Sequence, residues 1–363
     1  MLTNLAIPEM LALLIQPGPK PALIDVRSEL EFAKAAVPGF TNLPILYQSE
    51  RHEVGLTYKH QGQQAAIDRG AALVLPDQQR RLALWCEDIA RAPIHEAVVA
   101  CWRGGMRSAI ACDWLRQAGQ QVRQLEGGYK ALRHALLEAI ANPPPLVIVT
   151  GLTGSGKTEL LQTLGGGAID LEAAAQHRGS AFGGWIDRPQ PMQATFENAL
   201  ALQLLQQQQK YAALFCEDES RMIGALAVPP GFYAHMTTAP LIVLDEPLAI
   251  RTQRIFRDYV QQPVHAGVAP ERVLQKALDA LQAVSQRLSH QTKQVRELLI
   301  DGFAKGMTYA DHEPWLAAIL TGYYDKGYRH GARHQSDAHI MFQGDLASCT
   351  QWCFEFLKAK QRR

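Results

Sequence analysis

The sequence has almost no excess of charge of either sign, because 36 Lys and Arg residues face 35 Asp and Glu residues and leave a net charge of +1. No general positive field is therefore available to attract nucleic acid, and such a partner would have to be held by a local patch. The sequence also has no apolar run long enough to span a bilayer, and residues 1–10 lack the charged segment of a secretory signal. These absences predict a cytoplasmic protein that has no membrane partner.

Cysteine is scarce, and its spacing does not match that of metal ligands. The six cysteines stand at positions 86, 101, 112, 216, 349 and 353, and Cys349 and Cys353 form a pair with no further ligand nearby. In a reducing compartment we expect free thiols rather than disulfides. The remaining composition, 47% hydrophobic and 20% charged residues in a chain of 363, is typical of a soluble globular protein, and the length suffices for two domains.

Residues 146–158 form the strongest motif of the chain. An apolar, β-branched run, Leu146–Thr150, predicts a buried strand, and the turn after it matches G-x-x-x-x-G-K-[ST] at every fixed position. In this pattern glycines turn backbone N–H groups inward around phosphate oxygens, the lysine adds positive charge, and the threonine can hold a metal ion. The following helix directs the positive end of its dipole at the same anion. The residues concerned are Gly151, Thr153, Gly154, Ser155, Gly156, Lys157 and Thr158.

This loop predicts a di- or triphosphate ligand, and Thr158 could hold Mg²⁺ beside it, although the motif by itself defines no complete metal site. Two later strands end in acids, which in P-loop proteins commonly contact magnesium or its waters. The first, residues 211–216, is followed by Glu217, Asp218 and Glu219, and the second, residues 241–244, by Asp245. We favour Glu217–Glu219 as the acids that lie beside the loop.

Further cations and aromatic residues are candidates for phosphate or RNA contacts. They are Arg178 and Ser180 in the glycine-rich loop 177–184, Arg251, Arg254 and Arg257 at three-residue spacing on one helix face, and Tyr323, Tyr324 and Lys326 in an aromatic and basic run. Aromatic residues interleaved with basic ones suit base stacking and backbone contact with single-stranded RNA. Each group also has an ordinary alternative: a solvated connection, a solvated charged face and core tyrosines, respectively.

A second candidate site is a thiol at the end of another strand. The run 97–101 predicts a short buried strand that ends on Cys101, and a loop with two glycines leads from it into a helix. Converging N–H groups at a helix N-terminus favour a thiolate nucleophile, and Arg103 and Arg107 add positive charge around it. The predicted catalytic residues are therefore Cys101, Arg103 and Arg107, and a buried structural cysteine is the alternative.

The first 141 residues resemble a rhodanese domain. The resemblance is carried by Asp25-Val26-Arg27, Glu31-Phe32, Val37–Phe40 and Asn42-Leu43-Pro44, followed by the strand that ends in Cys101. One departure is that five residues separate Cys101 from Arg107, one more than in common sulfur-transfer rhodaneses. This larger ring is similar to that of rhodanese-fold phosphatases and could surround a phosphate-sized group, so a chalcogen carried on phosphate is the substrate that we expect there.

These motifs predict an α/β protein with an N-terminal rhodanese-like domain followed by a P-loop NTPase-like domain that has a parallel sheet. The predicted boundaries are 1–141 for the rhodanese-like domain, with an insertion near 46–80, and 146–363 for the P-loop domain, whose C-terminal part is helical. Residues 142–145, Asn-Pro-Pro-Pro, form a stiff linker because consecutive prolines favour an extended chain.

The combination of the two domains resembles the bacterial tRNA 2-selenouridine synthase family over the whole chain. The stretches that carry this resemblance are Val54–Lys59 within the insertion, Cys101–Gly105, Gly151–Thr158, Glu217–Arg221 and Tyr323–Asp325. The insertion is absent from minimal rhodaneses, which makes the match more specific. Neither motif alone would justify the family; their succession in one chain does.

The resemblance implies a transferase that replaces sulfur by selenium in wobble 2-thiouridine of tRNAs for lysine, glutamate and glutamine. It implies selenophosphate as selenium donor, with the enzyme that supplies it as a candidate partner, and geranyl diphosphate as donor of an intermediate S-geranyl group. The phosphate loop would hold the prenyl diphosphate, and Cys101 would receive, present or position selenium.

Three other functions are compatible with the motifs. A P-loop kinase or NTPase with a regulatory rhodanese domain predicts ATP turnover that depends on Lys157. A phosphatase built on Cys101 and Arg107 predicts phosphate release from aryl phosphates, although Ala100 stands where such enzymes often have histidine. A non-catalytic tRNA-binding scaffold predicts RNA binding that survives loss of both Cys101 and Lys157.

Overall fold

The computed structural model describes residues 4–180, 182–184, 189–288, 291–329 and 340–362. The chain forms two compact units, one of Met1–Ala141 with Met192–Gln206 and the other of Asn142–Pro191 with Gln207–Arg363. Both units are built on parallel sheets covered by helices, so the predicted α/β class is confirmed. Among the described residues, no helix has the length and apolar character needed to cross a bilayer.

The first unit has a central parallel sheet. Within the described residues its strand order is β2-β1-β3-β4, where β1 is Pro21–Asp25, β2 is Thr41–Asn42, β3 is Ile94–Ala100 and β4 is Gln121–Gln124. Its helices are α1 (Ile7–Ile15), α2 (Glu29–Lys34), α3 (Gln48–Val74), α4 (Gln78–Arg91), α5 (Met106–Gln117) and α6 (Gly128–Ala141), with a 3₁₀ turn at Leu75–Asp77. Strand β3 ends in four buried residues, which brings the thiol loop to the carboxyl edge of this sheet.

The insertion near 46–80, whose polar sequence has no clear period, is helical. Helix α3 is mostly exposed and bends at Gly62, whose φ of 86° is favourable only for glycine. A buried arginine holds the inserted helices to the unit, because Arg81 is 1% exposed and donates to the Glu50 carboxylate at 2.7 Å. Tertiary contacts therefore stabilise a helix that its own sequence only weakly specifies.

The second unit has the phosphate-loop strand in the middle of its sheet. Within the described residues the order is β11-β10-β5-β7-β6, with β5 at Leu146–Gly151, β6 at Ala168–Ile169, β7 at Leu214–Glu217, β10 at Leu241–Leu244 and β11 at Ile340–Gly344. A short antiparallel pair, β8 (Met222–Ile223) and β9 (Leu226–Ala227), follows β7. All of β5 is buried, as its uninterrupted apolar run predicts for a central parallel strand.

The helices that follow β5 in the chain lie around this sheet and in a helical C-terminal part, except for the one at Gln193–Gln207, which packs with the first unit. They are α7 (Lys157–Leu164), α8 (Leu171–Ala175), α9 (Gln193–Gln207), α10 (Pro230–Thr238), α11 (Leu248–Phe256), α12 (Gln262–His265), α13 (Pro270–Leu288), α14 (Gln291–Lys305), α15 (Tyr309–Ile319), α16 (Asp325–Arg329) and α17 (Leu346–Ala359). Two π-helical turns, Arg257–Gln261 and Leu320–Tyr324, interrupt the helical part, whose core includes Phe256, Leu281 and Trp315.

Helix α9 lies with the first unit, although its sequence position is after the phosphate loop. The Asn198 side chain donates to the Ala36 carbonyl at 2.8 Å, and the Thr195 hydroxyl accepts from the Ala36 N–H at 3.0 Å. Arg133 adds a hydrogen bond to Asn198 and an ion pair with Glu197. The domain boundaries predicted from the sequence, 1–141 and 146–363, would assign this helix to the second domain. Those boundaries stay a prediction.

Candidate functional site

The phosphate loop follows β5 and opens into α7. Gly151, Gly154 and Gly156 have φ values of 153°, 82° and 97°, which side chains with a Cβ rarely adopt. A Cβ on Gly151 would also lie 2.6 Å from the carbonyl oxygen of Leu244 on the neighbouring strand. The Lys157 ammonium donates to the Gly151 carbonyl at 2.9 Å, so the cation is held at the loop. This geometry can surround phosphate oxygens with backbone N–H groups.

Two arginines of α11 hold this loop through its carbonyl oxygens. Arg251 donates to Thr153 at 2.9 Å, and Arg254 donates to Ser155 at 3.1 Å. Arg251 is 2% exposed and forms an ion pair with Asp325 at 2.6 Å. The alternative considered from the sequence, that this arginine belongs to a solvated charged face, is therefore excluded. Because N–H groups of such a loop point inward, contacts to its carbonyls place these arginines on its outer side.

The Arg251→Met variant should lose about 3 kcal/mol or more of stability, because Asp325 is then left as a largely buried carboxylate without its cation. Urea unfolding of the full chain measures this loss. Replacing Asp325 by leucine in the same chain should restore part of it, whereas Lys305→Met, which breaks an exposed pair with Asp301, should change little. An Arg251→Met chain as stable as the parent would contradict the anchoring role.

An acidic cluster lies beside Thr158. The Thr158 hydroxyl donates to the Glu172 carboxylate at 2.9 Å, and the Glu172 N–H donates to Glu217 at 2.7 Å. Carboxylate oxygens of Glu172, Glu217 and Glu219 all lie within 4.8 Å of one another. Sequence reasoning missed Glu172, whose only signal is an acid in the first turn of a helix just after a short strand.

The other acids considered from the sequence lie outside this cluster. Asp218 accepts a hydrogen bond from the Thr150 hydroxyl at 2.6 Å. Asp245 is exposed and accepts from the Gln343 side chain at 3.2 Å. Two of the three favoured acids, Glu217 and Glu219, are therefore brought to the phosphate loop, and their role as magnesium ligands stays a prediction.

The electrostatics of the cluster favour a bound cation. Burial raises the pKa of Glu217 well above its usual value and that of Glu219 to about 8, and neighbouring carboxylates add to both shifts. Burial also raises the pKa of Glu172, against the opposing effects of the Thr158 hydrogen bond and the Lys157 charge. Among the described residues, Oε2 of Glu217 is buried without a hydrogen-bond partner. Clustered carboxylate oxygens of this kind are the ligands that Mg²⁺ prefers.

The remaining candidate contacts have well-defined places in the second unit. Arg178 donates to the Asp258 carbonyl and lies over the Tyr259 ring, 5.0 Å from its centroid, while the Ser180 hydroxyl is 3.1 Å from that of Tyr259.

Tyr323 and Tyr324 are partly buried against the helical core, as the core-tyrosine alternative predicts, and Lys326 is exposed. Arg257, the third arginine of the series, forms ion pairs with Glu159 and Asp258. Contact of any of these residues with RNA stays a prediction.

The thiol loop of the first unit connects β3 to α5. Cys101 is 3% exposed, and its Sγ lies 3.1 Å from the hydroxyl of Ser108 at the start of α5. The Gln124 side chain donates to this hydroxyl at 2.8 Å and to the Gly104 carbonyl at 2.7 Å. Ser108 and Gln124 therefore orient the thiol, and sequence reasoning assigned neither a role. All six cysteines are free thiols, as predicted.

The two arginines near Cys101 differ in their surroundings. Arg103 is exposed, whereas Arg107 forms an ion pair with Glu31 at 2.7 Å. Burial alone would raise the pKa of Glu31, but the hydrogen bond and charge of Arg107 outweigh it and lower the pKa to about 2. The Arg107 charge is thus largely offset by Glu31, and its action on a substrate at Cys101 stays a prediction.

A thiol loop on one parallel sheet and a phosphate loop on another define a rhodanese-type domain joined to a P-loop domain. Residues 8–135 match the rhodanese-like domain, and residues 144–360 match the tRNA 2-selenouridine synthase AAA domain. The chain therefore belongs to the tRNA 2-selenouridine synthase family.

Full-length relatives agree with this assignment. A tRNA 2-selenouridine synthase of Shewanella sediminis is 38% identical over 351 residues, which cover 92% of this chain and 94% of the relative. One of Shewanella denitrificans is 39% identical over 369 residues, which cover 96% and 98% respectively. The family resemblance read from the motifs is thereby confirmed.

Proposed function

We propose that this protein is a tRNA-modifying transferase that converts wobble 2-thiouridine to 2-selenouridine in tRNAs for lysine, glutamate and glutamine. The observation that carries the proposal is that relatives named tRNA 2-selenouridine synthase align with more than nine-tenths of the chain. Selenophosphate is the proposed selenium donor, and the enzyme that makes it is a candidate partner. The cytoplasm is the proposed location.

The proposed first step is S-geranylation at the phosphate loop. The sulfur of 2-thiouridine attacks C1 of geranyl diphosphate, so that a C–S bond forms while the C–O bond breaks and diphosphate leaves. Lys157 and the loop N–H groups offset the charge that develops on diphosphate. No ATP hydrolysis is required for this use of a P-loop.

The proposed second step is the exchange of sulfur for selenium. Alkylated sulfur is a better leaving group than a thiocarbonyl sulfur, so the selenium atom of selenophosphate can attack C2 of the base, and a C–Se bond forms while the C–S bond breaks and geranyl thiol leaves. Water then cleaves the Se–P bond, so that phosphate is released and 2-selenouridine remains. The thiol of Cys101, oriented by Ser108, serves the delivery of selenium in this step. The five residues between Cys101 and Arg107, a spacing similar to that of phosphate-binding loops, support selenophosphate as the ligand there.

Magnesium is a proposed cofactor of the phosphate loop. Thr158, Glu172, Glu217 and Glu219 would hold it, since their oxygen atoms converge beside Lys157. Bound there, the ion would supply positive charge toward the diphosphate.

Mg²⁺ should raise the melting temperature of the full chain, because only the folded chain brings the three carboxyl groups together to bind it. The expected gain is about 2.7 kcal/mol when Mg²⁺ is a hundredfold above its Kd. Glu217→Gln should abolish the response, which differential scanning calorimetry would measure. Asp245→Asn, at the end of the neighbouring strand, is the matched control and should keep it. If only Asp245→Asn lost the response, the metal ligands would have to be assigned to the end of β10 instead of β7.

The experiment that tests the whole proposal is incubation of the protein with 2-thiouridine tRNA, geranyl diphosphate and selenophosphate, followed by mass analysis of the nucleosides. We expect S-geranyl-2-thiouridine when selenophosphate is omitted and 2-selenouridine when it is present. Unmodified tRNA together with Lys157-dependent ATP turnover would replace this proposal by the P-loop kinase or NTPase.

A further inference from the structure

A largely apolar cavity lies in the helical part of the second unit. Its volume is about 440 Å³, which falls in the range of roughly 300–1,000 Å³ typical of ligand pockets. Its walls include Phe182, Val273, Ala277, Phe303 and Trp315. None of these side chains except the indole can form a hydrogen bond, so this wall of the cavity suits a hydrocarbon, whereas the polar part of the lining consists of Arg178, Asp258, Tyr259, Gln262 and Lys276.

The described residues of the glycine-rich loop, 177–180 and 182–184, lie between this cavity and the acidic cluster. On one side, a Cβ placed on Gly179 would collide with the Glu219 carboxylate, so the loop backbone lies directly against the cluster. On the other side, Arg178 and Gly183 of the same loop line the cavity. The charge of Arg178 also acts on Glu172, which accepts the hydrogen bond of Thr158. The cavity and the phosphate loop are therefore neighbours across one short segment.

The lining residues of the cavity include two cations and one carboxylate. Arg178 and Lys276 are the cations, and Asp258 is the carboxylate, which forms an ion pair with Arg257. The side chain of Arg178 is directed toward the Asp258 carbonyl and the Tyr259 ring at the cavity wall. Because Arg178 lies between the cavity and the acidic cluster, a ligand whose apolar body fills the cavity can extend an anionic head toward the phosphate loop. A cavity of about 150 Å³ can hold benzene, so about 440 Å³ is ample for a branched chain of ten carbons.

We propose that this cavity receives the hydrocarbon chain of the prenyl diphosphate donor, whose diphosphate lies on the phosphate loop. This assignment rests on the proposed function and adds the specificity site for the chain. Chain length is then selected by the apolar area that the cavity removes from water, while Lys157 and the loop N–H groups bind all prenyl diphosphates alike.

Calorimetric titration of the full-length protein with three probes tests the assignment: inorganic diphosphate, dimethylallyl diphosphate and geranyl diphosphate. Geranyl diphosphate should bind at least about tenfold more tightly than dimethylallyl diphosphate, because five more carbons are buried. Ala266→Trp, at an exposed lining position, and Ala277→Phe, inside the cavity, should remove this preference. Both variants should bind inorganic diphosphate like the parent.

The matched control is Gln275→Trp, which places the same tryptophan at an exposed position of α13 that does not line the cavity. It should keep the preference for geranyl diphosphate. If Ala277→Phe does not fold, Ala266→Trp alone tests the cavity assignment, because a substitution at an exposed residue is expected to leave folding intact. Unchanged geranyl diphosphate binding in Ala266→Trp, or equal binding of both prenyl probes by the parent, would overturn the cavity assignment. If the parent forms no S-geranyl nucleoside, the proposed function itself fails.

Discussion

Lys157→Ala should slow S-geranylation of 2-thiouridine tRNA by about a hundred- to a thousandfold, the usual cost of removing one group that stabilises a developing anion. The ammonium is held at the loop by the Gly151 carbonyl, next to the oxygen atoms of Thr158 and the acidic cluster. Lys157 is the one lysine of the motif, and the helix that begins with it fixes its position. Single-turnover formation of S-geranyl-2-thiouridine is the measurement.

Lys210→Ala is the control, because it removes an exposed ammonium from the same unit and should leave the rate unchanged. The Lys157→Ala chain should also accept chemically prepared S-geranyl-2-thiouridine tRNA and convert it to 2-selenouridine at the parent rate. A Lys157→Ala variant that geranylates normally would exclude the phosphate loop from prenyl transfer.

Cys101→Ala should abolish selenium incorporation while S-geranylation continues, so that geranylated tRNA accumulates. The thiol is 3% exposed and its sulfur is 3.1 Å from the Ser108 hydroxyl, which is itself fixed by Gln124. Alanine keeps the strand end and loop but removes the only nucleophilic atom at this position. Nucleoside mass analysis of a reaction with both donors reports the two products separately.

Cys112→Ala controls for the loss of any buried thiol in the same core. Burial raises the pKa of Cys112 to about 12, so this thiol is inert at neutral pH and its loss should leave selenium incorporation intact once folding is verified. Full selenium incorporation by Cys101→Ala would refute a role for the thiol. Equal loss of both products in the Lys157 and Cys101 variants would refute the division of the reaction between the two loops.

The parts of the site that could be predicted are those formed by residues that are contiguous in the sequence. The phosphate loop needs one apolar strand, three glycines with positive φ and one lysine in a fixed order, and each requirement leaves a residue-level signal between Leu146 and Thr158. Cys101 was found in the same way, from a strand, a two-glycine turn and a helix start. Local backbone chemistry dictates both loops, so no distant contact was needed to recognise them.

The parts that could not be predicted depend on residues far apart in the chain. Glu172 joins Glu217 and Glu219 only because β6 and β7 pair in one sheet, and Arg251 meets Asp325 across 74 positions. Helix α9 packs with the first unit through Asn198 and Thr195, although its sequence does not indicate which unit it contacts. Burial and pairing of this kind are decided by the whole fold.

For this protein, the sequence by itself determined the positions of the phosphate loop and the thiol loop, the α/β class and the family, because each follows from local backbone geometry or from the order of motifs. Only the tertiary structure decided which acids converge beside Thr158, which arginines hold the loop and where an apolar cavity opens next to it. The physical reason is that a loop conformation is set by neighbouring residues, whereas burial, pKa and cavity shape are set by side chains that only folding brings together.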